Sequence, residues 1–185
     1  MQNWKQKRSH MQHYDLQAEI YDKQYVGEQN AKIETVLKNM KFGLNESVLD
    51  IGCGTGFLFP YLTKKVGFIV GVELSSKELQ EAKKRIRKTH NILLVRADAD
   101  NLPFRDHSFD KGFMISILQN MPEPKKTILE MKRVNKLEAS FAVTGLKKKF
   151  TSEKFCESLK NAQLEIVMFD DDEQLKGYIV VCVNG

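Results

Sequence analysis

Apolar positions change period several times along this chain, and each change marks an element. Between Asp15 and Met40 the residues Leu16, Ile20, Ile33, Val36, Leu37 and Met40 recur at helical intervals with a break near Gly27, which predicts two helices. Tyr14, Tyr21 and Tyr25 punctuate the first of them, either as a packing face or as a lid that reaches a ligand. The pattern then becomes a series of short apolar runs at Ser47–Ile51, Phe68–Val72, Ile92–Val95, Phe109–Ile117 and Ala139–Thr144, each read as a buried strand.

Polar, amphipathic segments separate those runs. Phe57 to Lys65 can form a short helix because Pro60 falls in its first turn. Ser75 and Glu78 have capping-box spacing at the head of a charged helix reaching about Lys88. Pro122 and Pro124 introduce a helix to about Val134, and Thr151 or Ser152 caps another through Ala162. Leu164–Phe169 and Tyr178–Val183 are joined by so short an acidic turn that they must pair antiparallel. The expected architecture is an α/β, Rossmann-like, seven-stranded and mostly parallel sheet with an antiparallel carboxyl-terminal strand and helices on both faces.

At 185 residues the chain is long enough for one core without disulfide staples. Cys53, Cys156 and Cys182 lie far apart with no CxxC spacing, which suits reduced thiols and a cytoplasmic location. No apolar run approaches the roughly 18 residues of a membrane span, so neither a membrane nor a resident metal is expected. The net charge of +5 carries information only in its placement. Basic residues gather at Lys5–Arg8, Lys83–Lys88 and Lys147–Lys149, and an acidic run occupies Asp170–Glu173.

Chemistry is concentrated where strands end. Asp50-Ile51-Gly52-Cys53-Gly54-Thr55-Gly56 is a strand running into a loop with glycine at every second position, which lets a backbone approach a bulky ligand. The second strand ends on Glu73, whose carboxylate can accept from ribose hydroxyls. Gly52, Glu73, Asp98 and Met114 converge on the carboxyl edge of such a sheet. A nicotinamide enzyme with this fold would carry GxGxxG; the third glycine here arrives one residue earlier.

These stretches, with Ala97-Asp98-Ala99-Asp100-Asn101-Leu102-Pro103-Phe104 and Ser108-Phe109-Asp110, resemble the class I S-adenosylmethionine-dependent methyltransferases, from about Leu44 to the end of the chain. The branch of ubiquinone-biosynthesis-type and tRNA-wobble-type enzymes, built on the methyltransferase type 11 domain, is the most similar. The resemblance implies a helical lid over residues 1–43 and a methyltransferase domain over 44–185. It implies that Asp50, Gly52, Cys53, Gly54 and Gly56 hold the amino-acid end of S-adenosyl-L-methionine, with Cys53 as a packing residue. Glu73 and Leu74 would then meet the ribose, Asp98 and Ala99 the adenine, and Met114 the methionyl part.

Because a sulfonium cofactor brings its own activated methyl group, the protein's task is largely placement. Gln119, Asn120, Tyr14 and Tyr21 are the catalytic candidates, although relatives often carry histidines where Gln119 and Asn120 stand. The family's Arg-Val-Leu-Lys-Pro-Gly-Gly is replaced by Arg133-Val134-Asn135-Lys136-Leu137-Glu138, so the approach to the fifth strand is expected to differ. Lys147–Lys149 with Phe150 forms either a solvated loop or a phosphate-contacting patch that His10, His13 and Trp4 could extend. The expected acceptor is RNA or a protein of translation, with a small molecule as the alternative and an inactive cofactor-binding partner subunit as a third reading. Ile92–Val95 is expected to be an apolar edge strand for a second copy or for the small zinc-binding activator protein that serves similar enzymes.

Overall fold

The computed structural model describes residues 2–185; the side chains of residue 2 and of residues 17–24 lie outside the description, and with them those of Ile20 and Tyr21. Thirteen elements follow one another. Helix α1 (Gln2–Asn39) leads to β1 (Ser47–Ile51), α2 (Phe59–Leu62), β2 (Phe68–Glu73), α3 (Ser76–Arg85) and β3 (Ile92–Arg96). Then come β4 (Phe109–Met114), a 3-10 turn (Leu118–Asn120), α4 (Pro124–Val134), β5 (Asn135–Leu146), α5 (Ser152–Lys160), β6 (Leu164–Asp170) and β7 (Gly177–Asn184).

The seven strands form one sheet in the order β3-β2-β1-β4-β5-β7-β6. All neighbours from β3 through β5 run parallel, while β7 lies antiparallel to both β5 and β6. The expected architecture is therefore present, with two antiparallel contacts rather than one. The order reverses between β1 and β4, and their carboxyl ends open the crevice where ligands bind in such sheets.

Strand alternation divides the core into two layers. Leu49, Ile51, Val70, Phe141, Val143 and Val180 pack against Ile128 and Met131 of α4 and Phe155 and Leu159 of α5. Val48, Ile69, Phe113, Ala142, Ile179 and Val181 face the other way, against Ile33 and Val36 of α1, Met40 just beyond it, Phe59 and Leu62 of α2, and Ala82 of α3.

Two expectations about the elements are corrected. Instead of two helices, α1 is one helix of 38 residues that runs through Gly27. A side chain built at Gly27 would meet nothing within 4 Å, so this glycine costs only its intrinsic helix penalty, about 1 kcal/mol. Strand β5 begins at Asn135, directly off α4, and not at Ala139. Its pairing with β4 shifts between Phe109↔Asn135 and Lys111↔Ser140, and Glu138 absorbs the bulge at φ 62°. The buried Asn135 stitches the junction by donating from Nδ2 to the Met131 carbonyl at 2.7 Å.

Candidate active site

The cavity above the β1–β4 crevice is walled by the ends of β1, β2 and β3, by the segment after β4, and by α1 from Lys7 to Ile33. Asp50, Gly52, Cys53, Gly54, Glu73, Leu74, Asp98 and Ala99 all line it. Sequence reasoning thus brought together eight of its ten cofactor candidates. The other two stand elsewhere. Met114 is fully buried in the α4–α5 layer of the core, and Ile115, Ser116 and Ile117 supply the wall in its place. A Cβ on Gly56 would lie 2.6 Å from Phe59 Cδ2, so this glycine serves the packing of α2 and not the cavity.

The glycine loop is built by backbone geometry. The amides of Gly52 and Cys53 both donate to the Val72 carbonyl, at 2.8 and 3.0 Å, which folds the loop over the end of β2. Gly54 adopts φ 53°, and its amide donates to Glu73 Oε2 at 3.3 Å. The other oxygen of Glu73 accepts from the Leu74 and Ser75 amides at 2.7 and 2.8 Å. Ser75 closes the turn as the cap of α3, accepting from the Glu78 amide at 3.1 Å, as the capping-box spacing predicts.

Electrostatics favour a cation here. Burial, reinforced by the negative charge of Glu73, pushes the Asp50 carboxyl up to about 7. Among the described residues no lysine, arginine or histidine lies within ion-pair distance of Asp50 or Glu73. Two buried acids without a resident counterion fit a ligand carrying positive charge at one end and ribose hydroxyls at the other. S-adenosylmethionine meets both demands, and when bound it supplies a methyl group on a positively charged sulfur.

Asp98 is set differently. Burial raises its pKa, but hydrogen bonds from Lys7 and from the Asp100 amide outweigh that and hold the carboxyl below its usual range. Oδ1 takes both of those donors, at 2.6 and 3.0 Å, which leaves Oδ2 facing Asn101 at 3.5 Å and open to an adenine amino group. The loop carrying Asp98 and Ala99 is fixed from α4. Arg133 donates to the carbonyls of Leu102 and Phe104, and Glu130 accepts from the Leu102 amide at 2.8 Å.

The catalytic candidates separate. Tyr14 and Asn120 both line the cavity and are joined by an Nδ2–OH hydrogen bond of 2.8 Å. Burial pushes the Tyr14 phenol above its ordinary value, so it stays protonated at neutral pH. Gln119 turns away and donates to the Ser116 carbonyl at 2.7 Å, a positioning contact. The Tyr21 side chain lies outside the described residues.

Lys7, His10, Met11 and Gln29 of α1 complete the wall. None of them was assigned to the cofactor site from the sequence. Lys7 and His10 had been grouped only with a basic surface, and the signal that could have found them is the polar character of an α1 face that has nothing else to bury. That basic surface is also smaller than expected. Lys147 pairs with Asp171 at 2.6 Å, and the half-buried Phe150 packs against the core with its ring 5.6 Å from that of Phe155.

The sheet order, the glycine loop and the acids at successive strand ends define a class I S-adenosylmethionine-dependent methyltransferase fold. Residues 49–143 match the methyltransferase domain family, and the chain belongs to it. A demethylmenaquinone methyltransferase of Staphylococcus saprophyticus is 38% identical over 104 residues, which cover 55% of this chain and 45% of that protein. The chain therefore spans about half the length of the curated relatives it matches. Among solved structures, a SAM-dependent methyltransferase from Aquifex aeolicus is 25% identical with a TM-score of 0.71, covering 83% of this chain and 89% of its own. The complex between the Haloferax volcanii Trm112 methyltransferase activator and its methyltransferase contains a chain that superposes with a TM-score of 0.82 at 18% identity, over 92% of this chain and 97% of that one, a likeness of fold.

Proposed function

We propose that the chain transfers the methyl group of S-adenosyl-L-methionine to a small molecule with an apolar body, held beneath residues 1–43 acting as a lid. The observation that carries this is the closure of α1 over the cavity, where Met11 and Tyr14 face Ile115, Ile117 and Met121. An acceptor enclosed on that side is a compact ligand and not a polymer. The staphylococcal relatives, named for demethylmenaquinone, support a small apolar acceptor. In this reading Asp50 and the backbone of Gly52 to Gly54 receive the cofactor's amino-acid end, Glu73 the ribose, and Asp98 with Ala99 the adenine.

A second reading, an RNA or translation-protein methyltransferase working with an activator subunit, rests on β3. This strand is an outer edge of the sheet, and its Leu93 is 51% exposed. The Haloferax neighbour assembles with a Trm112 activator, which supports such a partner here. Tritiated methyl transfer into total RNA, total protein and an organic extract separates the readings. Label in the organic extract is expected. Label confined to RNA or protein selects the second reading, and cofactor binding with label in no fraction selects an inactive partner subunit.

A further inference from the structure

Opposite the acidic cofactor wall, four polar side chains meet in an otherwise apolar part of the molecule. Lys32 and Gln29, one turn apart on α1, are only 5% and 7% exposed. Their Nζ and Nε2 atoms both donate to Ser116 Oγ, at 3.3 and 3.2 Å. Lys32 is itself paired with Glu28 at 2.9 Å, and Glu28 is held by the Lys176 amide at 3.0 Å.

Ser116 is locked in an unusual conformation. It has φ 63°, a region that L-residues rarely adopt. Its amide donates to Thr144 Oγ1 at 2.7 Å, and its carbonyl accepts from Gln119 Nε2 at 2.7 Å. A non-glycine residue held there from both sides is strained, and such strain persists only where the surroundings impose it.

The hydroxyl so placed faces the cavity from the end of β4. With two donors on its oxygen, its proton is polarised outward, and among the described residues it has Gln29 Oε1 as an acceptor at a long 3.4 Å. An oxyanion in the cavity would make a bond nearer 2.6 Å and outcompete that contact. Because Glu28 neutralises Lys32, the cluster delivers one strong hydrogen bond and little net charge. That suits a monodentate oxygen on an apolar body; a carboxylate needs several donors.

We infer that Ser116, polarised by Lys32 and Gln29, binds the acceptor through an acidic hydroxyl, a phenol or enol, taken up as its oxyanion. This rests on the small-acceptor reading above. The hydroxyl's proton is released to bulk water on binding. Ser116 touches the acceptor, and Lys32, Gln29 and Glu28 are positioning residues. The charged and titratable groups of this cavity and its polar cluster are Lys7, His10, Tyr14, Glu28 and Lys32 of α1, Asp50 of β1 and Cys53 just after it, Glu73 of β2, Glu78 of α3, and Asp98 after β3.

The test uses 4-nitrophenol, whose neutral and anionic forms absorb at different wavelengths, titrated with pH in the presence of saturating S-adenosylhomocysteine. Calorimetry with S-adenosylhomocysteine comes first; its failure would remove the methyltransferase reading itself. Given cofactor binding, the protein-bound phenol should titrate about one pH unit below the free phenol. Lys32→Met and Ser116→Gly should each abolish the shift. Glycine accepts φ 63° without strain, so Ser116→Gly tests the hydroxyl in a folded protein even if the lysine variant does not fold. A wild-type protein that binds S-adenosylhomocysteine but takes up no phenolate, or a shift that survives Ser116→Gly, overturns the inference and leaves the transfer reading standing.

Discussion

Nζ of Lys7 lies 2.6 Å from Oδ1 of Asp98, so the first two turns of α1 are fastened to the carboxyl end of β3 at the point proposed to read the adenine. The same ammonium reaches Asp100 Oδ2 at 2.5 Å, and all three side chains are largely shielded. Lys7→Met should leave the fold intact, raise the Asp98 pKa and increase amide hydrogen exchange over residues 3–16. Unchanged exchange there would mean that the ion pairs do not hold the helix down. Since Asp98 is depressed, its contribution to stability is present above the ordinary carboxylate value of about 3.9 and is lost as pH falls through its lower folded value.

Asp50 has the opposite sign. Its carboxyl is raised to about 7 by burial and by Glu73, so the folded protein holds a proton that the unfolded chain has released. The ligand-free protein should therefore lose stability as pH rises from about 4 to about 7, and Asp50→Asn should remove that loss. In the proposed role of Asp50, which pairs its ionised carboxylate with the ligand's ammonium, binding of S-adenosylhomocysteine should tighten about tenfold between about pH 6 and pH 8. Calorimetry at several pH values checks both, and an Asp50→Asn protein with the wild-type profile would exclude Asp50 as its source.

Two glycines of one loop should fail in different ways. At Gly56 a Cβ would meet the ring of Phe59 at 2.6 Å at a backbone φ of 83°, and the buried ring has no room to retreat. Gly56→Ala should cost roughly 2–4 kcal/mol of stability. At Gly54 the obstacle is Glu78 Oε2, the tip of a longer side chain, at 2.7 Å. Gly54→Ala should keep more of the stability but weaken cofactor binding at least tenfold. Thermal melts with and without S-adenosylhomocysteine distinguish the two.

The edge strand β3 gives a separable prediction. A charge at the exposed Leu93 should abolish association with an activator or with a second copy and leave S-adenosylhomocysteine affinity unchanged. Size-exclusion chromatography of Leu93→Glu with candidate partners reads the first effect and calorimetry the second. Loss of cofactor binding in this variant would show that the strand supports the site directly.

Most of the donor half of the site was legible because it is local. The glycine spacing, the acid ending β2 and the cap at Ser75 are written within short stretches, and their geometry follows from strand–turn–helix chemistry. What was not legible is how residues far apart in the chain meet, Tyr14 and Asn120 included, although both were named as candidates. Lys32 meets Ser116 over 84 positions, and Asn120 meets Tyr14 over 106. Periodicity marks Lys32 only as a polar interruption on an apolar helix. The misplacement of Met114 has a related cause, since the side-chain alternation of β4 decides which end residue faces the crevice, and the strand stops at Met114 with that side chain in the core. Gly27 misled in the other direction: a helix breaker by propensity is tolerated where the helix is anchored on both sides of it by long-range contacts.

That long helix has two unequal halves. Around Ile33 and Val36 it is sealed into the core, and pulling it away would expose apolar surface. Toward its start, Trp4 and Leu16 face solvent, and the inward contacts are carried by Lys7, Tyr14 and Asp15, the last of these to the cap residue Ser75. Unfastening the first half breaks the polar contacts of Lys7, Tyr14 and Asp15, so the hold on that half answers to charge, while the hold on the second half is set chiefly by apolar burial. A single helix is thereby held by two kinds of force, charge pairing beside the site and apolar burial in the core.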